Sequence, residues 1–261
     1  MKLITRADNI LNVVKPLRSI NEEGVFVFRP ESIEVKLTDP AHVAMFRTYT
    51  DMRTAIKEGS VRDYKINGEE EKLGVDLEKL VDALKFIGSE EVTVYDEIPT
   101  LPNGKKGIHR RLVLEGISLR RSISLLHPES MGEPKVPKLT EYAVFDLSCA
   151  TLKKRMQYMK GISDSCAIEY ERGKVTLSAE GDEDEVVFNE YVTHSPSVGD
   201  SKVRSKFPLD YLTNGFKALT PTSESGYKVT LKLGNDYPLV VEYSRGNTDF
   251  KFLIAPRIEH D

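Results

Sequence analysis

One stretch of this chain constrains its fold more than any other, because it occurs twice. Gly74-Val-Asp-Leu-Glu-Lys-Leu-Val-Asp-Ala-Leu-Lys85 lies without gaps on Lys206-Phe-Pro-Leu-Asp-Tyr-Leu-Thr-Asn-Gly-Phe-Lys217. Leu77 falls on Leu209, Leu80 on Leu212, Leu84 on Phe216 and Lys85 on Lys217. The opening segment, Lys2–Ile20, lies similarly over Ala143–Ser163. A period of about 135 residues means two copies of one unit, built as strand, helix, strands, helix, strands. Between the copies, the stretch from His127 to Glu141 carries three prolines and a glycine, the mark of an extended connector. The expected organisation is a first domain over 1–126, a connector over 127–141 and a second domain over 142–261.

Most of each copy reads as short strands rich in Val, Ile, Phe and Tyr, bounded by Gly, Asp, Asn and Pro. The first copy offers Val25–Phe28, Ser32–Leu37, Val43–Tyr49, Glu91–Tyr95, Arg111–Glu115 and Ser118–Leu125. The second offers Ala167–Glu171, Lys174–Ser178, Glu185–Val192, Tyr227–Leu233, Leu239–Tyr243 and Asp249–Ile254. Four segments carry a helical apolar stripe instead: Asp8–Ser19, Asp76–Ile87, Ser148–Lys160 and Leu209–Leu219. Pro16 predicts a kink or an early end in the first of them. The fold class is therefore α+β, with two tandem similar domains, antiparallel sheets and two helices per domain.

Catalytic chemistry has no obvious seat. His42, His109, His127, His194 and His260 are scattered without metal-ligand spacing. The Asn103–Gly107 stretch lacks the phosphate-loop pattern and reads as a hairpin tip. The acidic run Gly181–Glu185 lacks the further spacing of a calcium loop and reads as a solvated turn. No nucleophile-elbow motif is present. The chain is expected not to be an enzyme and to need no cofactor or metal. Cys149 and Cys166 read as buried free thiols of a reducing compartment. No signal-type apolar region opens the chain, and no apolar run is long enough to span a bilayer, so no membrane partner is expected.

The helices are informative on their polar faces. The first carries Lys15 and Arg18, the second Lys79 and Lys85, the third Lys153, Lys154 and Lys160, the fourth Lys217. Glu78, Asp82 and Asp210 dilute the pattern. Lys with Asn and Gln, and few planar stackers, suits loose phosphate contacts to a duplex, which carry no sequence information. Net charge is −4, whereas a protein that grips DNA by bulk attraction is usually basic.

Four segments bring a family into view. The closing Leu253-Ile-Ala-Pro-Arg-Ile-Glu259 resembles the terminal motif of the proliferating cell nuclear antigen family, the DNA polymerase sliding clamps, here of archaeal type. Leu37-Thr-Asp-Pro-Ala-His-Val-Ala-Met45, Gly234-Asn-Asp-Tyr-Pro-Leu-Val-Val-Glu-Tyr243 and Leu126-His-Pro-Glu-Ser130 resemble further segments of that family, in the same order.

The resemblance implies a trimeric ring of six domains, with sheets outside and helices lining a hole that encircles duplex DNA. Such a ring is a processivity factor in DNA replication and repair. Threading would hold the ring on DNA, so a modestly basic lining in an acidic protein suffices. The subunit interface would pair Ile117–Ser124, bearing Arg120 and Arg121, with Glu183–Val192, bearing Glu183, Asp184 and Glu185. DNA polymerase, clamp loader, ligase and nuclease clients would dock through short peptide motifs. Their pocket would be formed by His42, Val43, Met131, Val136, Pro137, Leu139, Pro238, Leu253, Ile254, Ala255, Pro256 and Ile258. The implied location is cytoplasmic for an archaeal chain and nuclear for a eukaryotic one. Clamp-like specialised or checkpoint paralogues, and monomeric DNA-binding processivity factors, are the alternatives. Thr38, Pro16, Asp82 and the long basic stretch Glu97–His109 depart from the family pattern.

Overall fold

The computed structural model describes residues 1–100, 106–131, 142–192, 202–219 and 227–258. The elements are β1 (Lys2–Arg6), α1 (Ala7–Arg18), β2 (Glu23–Arg29), β3 (Ser32–Thr38), β4 (Ala44–Asp51), α2 (Met52–Lys57), β5 (Val61–Lys65), β6 (Glu71–Asp76), α3 (Leu77–Ile87), β7 (Glu91–Glu97), β8 (Arg111–Glu115) and β9 (Arg120–Ser124). They continue as β10 (Ala143–Ser148), α4 (Cys149–Met159), β11 (Ser165–Glu171), β12 (Lys174–Glu180), β13 (Glu185–Tyr191), β14 (Val203–Pro208), α5 (Leu209–Leu219), β15 (Lys228–Leu233), β16 (Leu239–Arg245) and β17 (Thr248–Ile254). No helix among the described residues is long and apolar enough to cross a membrane.

Two compact units result. Unit 1 comprises 1–39, 46–134 and 244–250; unit 2 comprises 40–45, 135–243 and 251–261. Neither unit is a single run of chain, in contrast to the contiguous domains expected from the sequence. In unit 1 the strands run in the orders β5-β1-β7-β8-β9 and β4-β3-β2-β6. In unit 2 they run β10-β15-β16-β17 and β13-β12-β11-β14.

The repeat is legible bond by bond. Leu77 N donates to Glu22 O at 2.8 Å, and Leu209 N to Asp164 O at 2.9 Å. Ala7 N donates to Glu90 O at 2.9 Å, and Cys149 N to Tyr227 O at 2.8 Å. After the last strand of each unit the chain crosses back to bond β6 or β14. Leu126 N reaches Gly74 O at 2.8 Å and Arg257 N reaches Lys206 O at 2.7 Å. Gly74 and Lys206 are the positions that head the two aligned stretches. Leu126 comes so close that a Cβ on Gly74 would stand 2.7 Å from its carbonyl oxygen, which explains the glycine.

α2, α3 and α4 open where a side chain relieves free N–H groups, whereas α1 opens without a side-chain cap. Asp76 accepts from Lys79 N at 2.9 Å to open α3, and Ser148 Oγ accepts from Thr151 N at 3.3 Å to open α4. Gly88, at φ 73°, ends α3. Pro16 stands in the last turn of α1, which runs on to Arg18 rather than ending early. Each helix pair buries its stripe: Val14, Leu17, Leu77, Leu80 and Leu84 in unit 1, Leu152, Met156, Leu209, Leu212 and Phe216 in unit 2. Cys149 and Cys166 are buried free thiols, and burial pushes Cys166 up to about 12.

Candidate functional site

The basic helix residues fall into two classes. Arg18 of α1 pairs with Glu78 of α3 at 3.2 Å and with Glu22 at 3.5 Å. Lys79 pairs with the capping Asp76 at 2.7 Å, and Lys160, at the end of α4, pairs with Asp210 of α5. The repeat relates Arg18 to Lys160 and Glu78 to Asp210, so one interhelical ion pair is built twice. Lys15, Lys85, Lys154 and Lys217 are exposed and Lys153 is half-buried. These five have no ion-pair partner among the described residues. Arg155 turns away from the open face: it pairs with Glu190 of β13 and lies over the Phe188 ring, 5.1 Å from its centre.

A second group of residues gathers at one side of unit 2. Ala255 N donates to Val43 O at 2.8 Å, tying the segment after β17 to the loop before β4. His42 holds that loop in a left-handed turn at φ 58°. Beneath lies a cluster of Met45, Val240 and Leu253. Leu253 and Ile254 are buried, Val43, Pro238, Ala255 and Pro256 are half-buried, and His42 and Ile258 are exposed. Ile258 keeps 64% of its surface in solvent. Leu253 and Ile254 thus form the floor, while Val43, Pro256 and Ile258 present apolar surface. Met45 and Val240 were missed in the sequence, although Met45 directly follows the His-Val-Ala signal. Met131 is half-buried in a 3-10 turn (Pro128–Met131) of unit 1. Val136, Pro137 and Leu139 lie outside the described residues.

A third feature is a pair of sheet ends. β9 closes the order in unit 1 and β13 closes it in unit 2, each with one flank unpaired among the described strands. Arg120 is exposed on β9, where the Tyr95 hydroxyl and the Glu97 carboxylate, 2.8 Å away, favour its charged form. Arg121, half-buried, faces the other way along with buried Ile123. Glu183, Asp184 and Glu185 are exposed at the turn that opens β13. The outer row of β13 also bares Val187 (46%) and Tyr191 (81%), an apolar ledge that charge counting had passed over.

No protein-family model matches the chain. A curated relative, the DNA polymerase sliding clamp of Methanosarcina barkeri, is 31% identical over 263 aligned positions, covering 100% of this chain and 99% of the relative. The chain belongs to the DNA polymerase sliding clamp family. Its clamp fold is matched along its length by solved structures. The A. fulgidus PCNA with the C-terminal region of FEN-1 bound has a TM-score of 0.82 at 24% identity, covering 100% of this chain and 99% of that one. The Thermococcus kodakaraensis PCNA has a TM-score of 0.81 at 20% identity, covering 98% and 99%. The family and the α+β tandem fold implied by the four quoted segments are therefore those of this clamp chain.

Proposed function

We propose that three copies of this clamp chain close head to tail into a ring around duplex DNA, β9 of one copy adding to β13 of the next. The observation that carries the reading is the complementarity of the two sheet ends. One is outermost in unit 1 and bears Arg120 and Arg121. The other is outermost in unit 2 and is headed by Glu183, Asp184 and Glu185. A heterologous contact of this kind either closes into a ring or runs on as a filament, and closure leaves neither the β9 nor the β13 edge free. Because Arg120 is already engaged by Glu97, its charge contributes to register more than to affinity. The exposed Val187 and Tyr191 supply apolar area.

In this reading Lys15, Lys85, Lys153, Lys154 and Lys217 contact phosphates. Arg18, Lys79 and Lys160, compensated by acids, contribute less. Partial compensation suits sliding, since each phosphate contact must break with counterion exchange. Client proteins, a polymerase, a clamp loader, a ligase or a nuclease, dock a short motif on the ledge of Val43, Pro238, Ala255, Pro256 and Ile258. An aliphatic or aromatic anchor seats over Met45, Val240 and Leu253. The ring performs no chemistry of its own.

Light scattering on a sizing column, over a dilution series, tests assembly. Three copies of 29.4 kDa give about 88 kDa. Retention on closed circular DNA and loss from linear DNA then tests threading. A monomer at every concentration, or equal retention on both DNA forms, overturns the ring.

A further inference from the structure

Unit 1 holds a cavity of about 470 Å³ beneath α1. That volume falls within the ~300–1,000 Å³ typical of small-molecule sites. It is also about three times the ~150 Å³ at which an apolar cavity already admits a benzene-sized guest. Its inner wall is apolar, built from Leu3, Phe26, Phe28, Leu80, Val94 and Leu112. Water-sized access reaches these walls: Leu3 and Phe28 retain 7% and 5% of their surface. Their counterparts in unit 2, Phe145 and Tyr170, retain 0% and 1% and stack on each other with ring centres 5.8 Å apart. The counterpart of Val75 is Phe207. At these three positions unit 2 carries the larger side chain, although Phe26 of the wall has the smaller Ile168 as its counterpart.

The rim is polar and held in place. Thr5 Oγ1 donates to Ser60 O at 2.6 Å and Asn9 Nδ2 to the same oxygen at 2.9 Å. Asn247 Nδ2 donates to Ser60 Oγ at 2.7 Å. Arg245 lines the same rim half-buried, with no ion-pair partner among the described residues. Glu58, the acid of the lining, is exposed. An apolar chamber with a braced polar rim and one uncommitted guanidinium matches a particular guest, an apolar body ending in a single carboxylate.

We propose that this cavity binds an amphiphilic monocarboxylate, its hydrocarbon tail among Leu3, Phe28 and Val94 and its carboxylate on Arg245. The site is separate from the polar helix faces, the sheet ends and the ledge of unit 2, so it stands whether or not the ring reading does.

The test is a titration of the full chain with sodium decanoate, with decanol as the neutral comparison, followed by methyl proton–carbon spectra. The expected result is a saturable shift of the Leu3, Leu80, Val94 and Leu112 methyl resonances with decanoate. Arg245→Leu lowers decanoate affinity about tenfold and leaves decanol affinity unchanged. Leu3→Phe with Val75→Phe fills the chamber and abolishes both. Absence of a saturable shift at these methyls in the unaltered chain, up to about 1 mM decanoate, overturns the site. Equal decanoate affinity in Arg245→Leu overturns the carboxylate assignment.

Discussion

Unit 1 carries Leu3, Val75, Val81 and Ala83 where unit 2 carries Phe145, Phe207, Thr213 and Gly215. The backbone frame around these positions is the same in both, down to the bonds that start α1 and α4 and those that start α3 and α5. What differs is how the space is filled. In unit 2 Phe145, Tyr170 and Phe207 pack completely, and α5 lies so close to its sheet that a Cβ on Gly215 would stand 2.1 Å from Phe252 Cε1. In unit 1 the methyl of Ala83 is accommodated and fully buried, and a chamber remains beneath α1. Hydrogen-bond topology and packing volume are thus separable. The alternation of apolar and polar residues fixes the first, while the second depends on the sizes of side chains that meet across two layers.

Exchanging the fillings should break the comparison. Phe145→Leu with Phe207→Val gives unit 2 the side chains of unit 1, and should destabilise it by about 3 kcal/mol through lost transfer energy and an unfilled cavity. Amide exchange in β10 and β15 should accelerate while β1 and β7 stay protected. Gly215→Ala should cost about 2 kcal/mol by overpacking against Phe252, read from the denaturant midpoint of unit 2. The reciprocal Ala83→Gly should also cost about 2 kcal/mol, helix propensity and the loss of one buried methyl in roughly equal parts. In the opposite direction, Leu3→Phe with Val75→Phe should stabilise unit 1 by about 1 kcal/mol, seen as slower exchange in β1 and β7. Thr213 is a smaller case. Its buried hydroxyl has no hydrogen-bond partner among the described residues, and the counterpart in unit 1 is Val81. Thr213→Val should stabilise α5 by up to about 1 kcal/mol, measured as a rise in the unfolding midpoint.

The elements that repeat were the ones most legible in the sequence. α5 and β8 have the bounds read from their periodicity, and β2, β3, β11 and β12 lie within two residues of theirs. The missed elements are short or polar. β5 carries Val61 and Tyr64 among charges, and β6 opens on Glu71-Lys72. β14 alternates Val203, Ser205 and Phe207 inward, and Ser205 is buried because its hydroxyl bonds Gly234 O at 2.7 Å. A serine at a core position hides a strand from any hydrophobicity pattern. α2 spans only Met52–Lys57 and rests on the Asp51 cap rather than on a stripe. At the candidate sites the residue types were legible, but their partners were not. Arg18 and Lys160 look free in a list of lysines and arginines, and only the packing of α1 on α3 and of α4 on α5 brings them to Glu78 and Asp210. The chamber beneath α1 was invisible for the same reason.

The repeated interhelical ion pair gives the finest test of the comparison. In unit 1 Arg18 has a second carboxylate, Glu22, at 3.5 Å, whereas Asp210 is the acid that holds Lys160 in unit 2. All four partners of the two interhelical pairs are substantially exposed, so neutralising either acid should change stability by no more than about 0.5 kcal/mol. The effect on charge should be unequal. Asp210→Asn leaves Lys160 uncompensated, while Glu78→Gln leaves Arg18 on Glu22. If the helix faces meet phosphate, Asp210→Asn should steepen the dependence of duplex affinity on salt by up to about one counterion per chain, and Glu78→Gln by less. Equal slopes for the two variants would mean that Glu22 does not hold Arg18 in solution. Slopes unchanged from the unaltered chain in both would remove the ends of α1 and α4 from the surface that meets DNA, leaving Lys15, Lys85, Lys153, Lys154 and Lys217 to carry it.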